Sequence, residues 1–351
     1  MPTKTGGSVK RVTVDRAPAD GETGRGGFRF SDRYSVFDWG PMPDAIPGKG
    51  ASLCTTGAHT FETLESRDVP THYRGVRDPE TGAVGPLGAC VAPPTEMAVE
   101  IGRVPDLPES DGGDDASVHD HDYDYDAYHR AGGDCFVVPL EVVFRNRVPP
   151  GSSLRRRCTP REHGLDRDTW PDGVVDLPRP VVEFSTKYEP SDRYLDRAET
   201  ERIAGPADVD ELERLARAVN DAVTDLAAAA GLRHEDGKVE CLYADGDLRV
   251  ADVTGTLDEN RFSFDGTPVS KEVLREHHRR TQSEWVDAVT RAKVTYNDWR
   301  DHAPAPDPLD PAVVETVADA YGAFADAYVD GRDRFDAPSL VAVTRSLADL
   351  G

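Results

Sequence analysis

Residues 236–261, DGKVECLYADGDLRVADVTGTLDENR, hold the residues best suited to chemistry. Two short apolar runs, 238–243 and 248–253, flank Ala244-Asp245-Gly246-Asp247, whose Asp/Gly content suits a tight turn between strands. A hairpin there sets Glu240 and Asp252 opposite, or nearly opposite, each other, with Cβ atoms about 5 Å apart. Two carboxylates that close repel, and the remedy is a divalent cation or a neighbouring Lys or Arg. Lys238, two residues before Glu240, shares its strand face. A lysine and two acids on one face could form a Mg²⁺–triphosphate site, because Mg²⁺ takes a few carboxylates plus phosphate oxygens. An acidic hairpin on an acidic surface would carry the same residues.

The elements that must position this hairpin come from a chain of 351 residues, long enough for two domains with real cores. Strands are expected at 8–15, 26–38, 69–76, 95–103, 135–148 and 181–187. Helices are expected at 51–67, 208–230, 270–296, 311–329 and 337–349. The 208–230 helix is strongly amphipathic, with Leu212, Leu215, Val219, Val223 and Leu226 on one stripe and Gly231 at its C-cap. Strands mixed with helices and several hairpins point to α+β with one sheet per lobe. The tract 105–134 is low in complexity and reads as a solvated insertion loop. Its His119, His121 and His129 among aspartates are a candidate metal tract, although an acidic surface insertion explains them equally well.

Acidic residues number 65 against 41 basic ones, a formal charge of −24, spread along the whole length. That pattern suits a very salty cytoplasm, where dense carboxylates hold hydration and salt screens their repulsion. It argues against nucleic acid as a partner, since phosphate binding needs a basic face. No apolar run approaches the roughly 20 residues of a membrane span, and no signal-peptide core is seen. The five cysteines are scattered and lack CxxC pairs, which fits reduced thiols and not zinc. Only seven residues are lysine: 4, 10, 49, 187, 238, 271 and 293. Lys4, Lys271 and Lys293 read as a terminus and helix surfaces. Lys10, Lys49, Lys187 and Lys238, with Arg145, Arg147 and Arg261, could build one cationic pocket or be scattered surface charges.

In order along the chain, several motifs resemble the phosphoribosylaminoimidazole-succinocarboxamide synthase (SAICAR synthetase) family. They are Gly7-Ser8-Val9-Lys10, Asp32-Arg33-Tyr34-Ser35-Val36-Phe37-Asp38, Ile46-Pro47-Gly48-Lys49-Gly50 and Val69-Pro70-Thr71-His72. Further on come Glu141–Arg147 followed by Gly151-Ser152, Pro180 to Lys187, Lys238-Val239-Glu240 and Asp252 to Arg261. The chain departs from the family pattern at Ser8, where a lysine is usual, at Val253, where Glu is usual, at Leu257, and in lacking Phe-Gly after Glu240. These departures keep open a kinase-like phosphotransferase acting on another small anionic metabolite, or a protein whose motifs are relics.

The resemblance implies ATP-dependent ligation of L-aspartate to the carboxylate of a carboxylated aminoimidazole ribotide (CAIR) through an acyl phosphate, a step of purine biosynthesis. It implies a small antiparallel, kinase-like N-terminal lobe (1–104) covering the nucleotide, the 105–134 insertion, and a larger ATP-grasp-like α+β lobe (135–351) with C-terminal helices. Residue by residue, it gives Glu240 and Asp252 to Mg²⁺ and Lys238 to the phosphates. Gly7 and Lys10 fall beside ATP, with Val99, Glu100 and Ile101 holding adenine through their backbone. Arg145, Gly151 and Ser152 hold the ribotide, with Asp258 and Arg261 nearby, and Lys187 and Asp192 meet aspartate or the acyl phosphate. The partners are then small molecules in the cytoplasm, and a homo-oligomer is compatible with the sequence.

Overall fold

The computed structural model describes residues 9–19, 21–110, 123–189, 191–296, 298–329 and 333–350. Gly7, Ser8, His119 and His121 lie outside them. The first sheet has five antiparallel strands: β1 (Lys10–Arg16), β2 (Gly24–Phe30), β3 (Tyr73–Arg77), β4 (Val84–Gly85) and β5 (Glu96–Ile101), in the order β1-β2-β5-β3-β4. The second has seven: β6 (Cys135–Val137), β7 (Leu140–Val148), β8 (Val175–Thr186), β9 (Arg233–Ala244), β10 (Asp247–Ala251), β11 (Asn260–Phe264) and β12 (Thr267–Pro268). The expected two-lobe α+β architecture is what forms.

Strand β9 organises the second sheet. Its first half pairs with β7 and β11, and its second half with β10 and β6. Strand alternation sorts its residues. Val239 and Cys241 join the apolar core, while Asp236, Lys238 and Glu240 take the other face. On β7, Val142 and Phe144 are core residues and Glu141 and Arg145 share the charged face. On β8, Glu183 and Ser185 continue that face toward Lys187.

The apolar side is covered by α5 (Val209–Ala229), which packs on β9 and β7. Asp208 caps its first turn by accepting from Asp210 N at 2.8 Å and Glu211 N at 3.2 Å. Gly231, with φ of 73°, follows its end, as a left-handed helix stop requires. Helix α1 (Lys49–Ser66) runs beneath the first sheet and packs on α5 and on α8 (Pro311–Tyr328), which in turn packs on α9 (Leu340–Leu350). The remaining helices are α2 (Tyr125–Gly132), α3 (Leu154–Arg157), α4 (Arg197–Ala204), α6 (Glu272–Thr281) and α7 (Ser283–Thr295).

Three expectations need correction. The 105–134 tract is not all solvated loop: α2 starts at an Asp124 cap and buries Tyr125 and Tyr128, three residues apart on one face. The 270–296 helix is two helices, because Gln282 leaves helical geometry at φ −131° and ψ 44°. The 135–148 strand is two strands separated by Val138-Pro139, proline having no N–H for the ladder.

Candidate active site

The two lobes are stitched beside the hairpin. Thr71 bridges Val250 in parallel, His72 N donates to Val250 O at 2.9 Å, and Val250 N donates to Pro70 O at 2.9 Å. Glu100 receives Arg74 from its own lobe and Arg249 from β10. This docking brings β1 against the loop that follows β10.

The hairpin forms in the expected register, with Glu240 paired to Ala251, so Asp252 stands one residue past direct opposition. Asp252 adopts φ of 60°, a left-handed conformation that aspartate tolerates, and this breaks the strand alternation. The two acids do not face each other bare. Lys10 of β1 pairs with Asp252, and Lys187, just past β8, pairs with Glu240. Lys238 lies 2.5 Å from Glu141 and 3.5 Å from both Glu240 and Glu259. Three of the seven lysines thus converge on four carboxylates.

Electrostatics holds Glu240 and Lys238 ionised. Burial opposes charge on Glu240, but Lys187, Lys238 and Lys10 together hold it down to about 2. Burial also works against Lys238, yet Glu259, Glu240 and Glu141 raise it well above the ordinary lysine value. Lys10 is brought down to about 8 by burial, against the pull of Glu259 and Glu240. Desolvation raises Asp192, while Lys238 and Lys187 act in the opposite direction.

Further along the same sheet face is an arginine cluster. Arg145, 4% exposed, donates to Glu183 (2.9 Å), Asp236 (3.3 Å), Ser153 Oγ (3.2 Å) and the Tyr194 hydroxyl (2.8 Å). Arg261 on β11 pairs with Asp236, its Nε 2.7 Å away. The glycine-serine loop reaches Arg145 through Ser153. Ser152 is buried with its hydroxyl turned to Leu154 N, and Gly151 is exposed.

Two assigned segments make contacts that were not legible in the sequence. Asp258, which lines the cleft between the lobes, takes partners far along the chain. One of its oxygens takes the buried Lys49 at 2.7 Å and the other the Tyr321 hydroxyl at 2.6 Å. Val99, Glu100 and Ile101 lie in β5, a central strand. Glu100 N donates to His72 O at 2.7 Å, and its carbonyl lies 3.1 Å from the His72 ring. Val99 is in register with both Gly26 and Tyr73, and Ile101 with Gly24. The backbone of Glu100 is therefore engaged inside the protein, which does not fit a role in holding adenine. His129, from the candidate metal tract, faces the Ile203 carbonyl at 3.0 Å and packs on Phe136.

Between the lobes lies a cleft of about 280 Å³. Lys10, Asp252 and Glu259 line it together with Ser35, Lys271 and Arg275. The sequence reading set Lys271 aside as a helix-surface residue and did not single out Arg275. Their signal was position: Lys271 opens the first helix after the hairpin region, and the 252–259 loop folds back on it through Lys271 N to Leu257 O at 3.1 Å. A cleft lined by lysines and by acids held ionised is suited to an anionic ligand that arrives with a cation.

Comparison with known proteins agrees. The SAICAR synthetase family profile matches residues 21–292. A protein of Archaeoglobus fulgidus, provisionally named phosphoribosylaminoimidazole-succinocarboxamide synthase, is 41% identical over 98% of this chain and 99% of its own length. The phosphoribosylaminoimidazole-succinocarboxamide synthase of Thermoplasma acidophilum is 29% identical over 72% of this chain and 78% of its own. In fold, the chain is similar to the Saccharomyces cerevisiae SAICAR synthase complexed with SAICAR (TM-score 0.59, 17% identity, 94% of this chain and 96% of that one). It is also similar to a SAICAR synthetase in complex with ADP (TM-score 0.52, 23% identity, 78% and 90%). By motif order, profile and full-length similarity, the chain belongs to the SAICAR synthetase family.

Proposed function

We propose that this protein joins the carboxylate of CAIR to the amine of L-aspartate, using ATP and forming SAICAR in purine biosynthesis. The observation that carries the reading is the convergence of Lys10, Lys187 and Lys238 from three distant segments onto the hairpin acids, in a chain of net charge −24. A carboxylate is a poor acyl donor because oxide would have to leave. Phosphorylation converts it to a mixed anhydride, and the amine then displaces phosphate. Such transfer needs positioning and charge neutralisation more than covalent help from side chains.

Mg²⁺ fits the residues present. Glu240 and Asp252 form a two-carboxylate set, and no group of three or more His, Cys, Asp or Glu suited to a metal occurs among the described residues. Two carboxylates suit an ion that completes its shell with phosphate oxygens and water, not one held in an all-protein cage. Bound there, the ion would neutralise charge on the triphosphate.

The side chains supply the remainder. Lys10, Lys187 and Lys238 turn from the acids to phosphate oxygens, and Arg145 and Arg261 orient the ribotide. Residues up to 104 cover the nucleotide and residues 135–351 hold the substrates, in a cytoplasm of high salt. Family membership and the aligned motifs support this placement. No helix among the described residues is long and apolar enough to cross a membrane.

The test is product identification with ATP, CAIR and aspartate in molar KCl, for the native chain and Glu240→Gln. The native chain is expected to form SAICAR and ADP only with both co-substrates, and the folded variant neither. ADP formed without aspartate would point to a phosphotransferase, and near-native turnover by Glu240→Gln would remove the metal assignment.

A further inference from the structure

One face of helix α8 backs the loop that lines the cleft. Tyr321, Phe324 and Tyr328 stand three and seven residues apart, which sets them on one side of the helix, and each is 2% exposed or less. Phe324 and Tyr328 pack on Phe262 of β11, with ring centres 4.9 and 6.0 Å away. A buried tyrosine needs a partner for its hydroxyl. Tyr328 finds the Thr60 hydroxyl at 3.2 Å. Tyr321 finds the Asp258 carboxylate at 2.6 Å, the length of a charge-assisted O–H···O⁻ bond.

Tyr321 is itself held in place by α1. Ser52 Oγ donates to its main-chain oxygen at 2.7 Å, and the Lys49 ammonium, three residues earlier on α1, stands 5.3 Å from its ring centre. Lys49 donates to the other Asp258 oxygen. Burial and the charge of Asp258 push the Tyr321 hydroxyl well above the ordinary tyrosine value, so it stays a donor. An ionised carboxylate has about four lone-pair sites. Lys49 and Tyr321 take one on each oxygen, while Asp258 also lines the cleft beside Glu259, Lys271 and Arg275.

We infer that Tyr321 is a positioning residue for the ligation: with Lys49 it fixes the Asp258 carboxylate so that the acid's remaining lone pairs meet a hydrogen-bond donor of the ribotide in the cleft. This rests on the ligase reading above. A carboxylate held by Lys49 alone turns easily about its Cβ–Cγ bond, whereas donors on both oxygens leave it one orientation. Burial alone would be satisfied by any acceptor, as Tyr328 is by Thr60; Tyr321 instead reaches an acid of the cleft. The residue that sets this orientation lies beyond the stretch matched by the family profile.

The test compares the native chain, Tyr321→Phe and Tyr328→Phe in molar KCl. Tyr321→Phe keeps the ring beside Lys49 and removes only the donor, so a single urea transition with the native slope should show it folded. KM for CAIR should rise about tenfold, the scale of a lost hydrogen bond to a charged group, with KM for ATP within about twofold. Calorimetry without ATP or aspartate should show CAIR binding weakened by the same factor. Tyr328→Phe removes a hydroxyl from the same helix face that meets no carboxylate among the described residues, so its constants should stay within about twofold of native. Unchanged CAIR constants in Tyr321→Phe, equal rises for CAIR and ATP, or an equal effect in Tyr328→Phe would overturn the inference. If the native chain bound CAIR but formed no SAICAR, the ligase reading would fail, while the calorimetric comparison would still decide Tyr321. A native chain that did not bind CAIR would overturn both.

Discussion

Lys49→Met isolates a buried charge beside the cleft. The Lys49 side chain is fully buried and its partner Asp258 is 6% exposed, with Nζ 2.7 Å from one carboxylate oxygen. The ammonium also lies 5.3 Å from the centre of the Tyr321 ring, whose hydroxyl donates to the other oxygen at 2.6 Å. Methionine keeps most of the stem volume but leaves a buried carboxylate with one neutral donor. Breaking a buried pair in this way costs about 3–5 kcal/mol, a large part of the roughly 5–15 kcal/mol that holds a domain folded. Asp258→Asn leaves Lys49 stranded and should cost a similar amount. The double variant strands neither, so its loss should stay under about 2 kcal/mol, because well-filled neutral replacements of buried pairs are often near neutral.

Urea unfolding of the four proteins in molar KCl, with slopes compared, reads these differences. The acid limb gives a second check. Burial pushes against charge on Asp258, but Lys49 and Lys271 hold its carboxyl below the usual range. Its contribution is therefore full above the ordinary carboxylate pKa and is lost as pH falls toward the folded value. The native and Asp258→Asn curves should accordingly converge in acid. Additive single losses, or a Lys49→Met loss under about 1 kcal/mol, would refute the buried-pair argument.

Raising KCl from dilute to molar should raise the thermal midpoint steadily, since self-repulsion in a −24 chain is screened; a flat scan would count against this. Gly237→Ala puts a Cβ 2.0 Å from Asn260 Nδ2 and 2.7 Å from Phe144, and should cost about 1–3 kcal/mol in urea unfolding. Arg145→Ala removes a cation shared by Glu183 and Asp236, which keep Arg157 and Arg261 as partners, so it should lower stability by about 1–3 kcal/mol and raise KM for CAIR more than for ATP. Equal changes in both constants would separate Arg145 from the ribotide.

Much of this was legible in the sequence where the signal was local. The 238–253 hairpin, the amphipathic helix after Asp208 and the helix after Pro311 all formed nearly as read, because turn residues, caps and apolar spacing act over a few positions. The convergence of Lys10 and Lys187 on the acids was not legible. It depends on the docking of Thr71-His72 against Val250 and on the β7–β8 and β7–β9 registers, which join segments far apart in the chain. The partners of Asp258 were hidden for the same reason: Lys49 and Tyr321 lie 209 and 63 residues away. The helix at 125–132 was hidden by acidic composition, although two tyrosines three apart marked its buried face.

From Asp236 to Cys241, strand β9 places its ionic residues on every second position, with the core on the alternate ones. A single-residue insertion or deletion next to Asp236 or Gly237 would exchange the two sets, driving Lys238 and Glu240 into the apolar layer against α5 and turning Val239 outward. The turn at 244–247 lies beyond that stretch and has no such parity to keep. Length polymorphism in relatives should therefore collect in that turn and be purged from the strand leading into it.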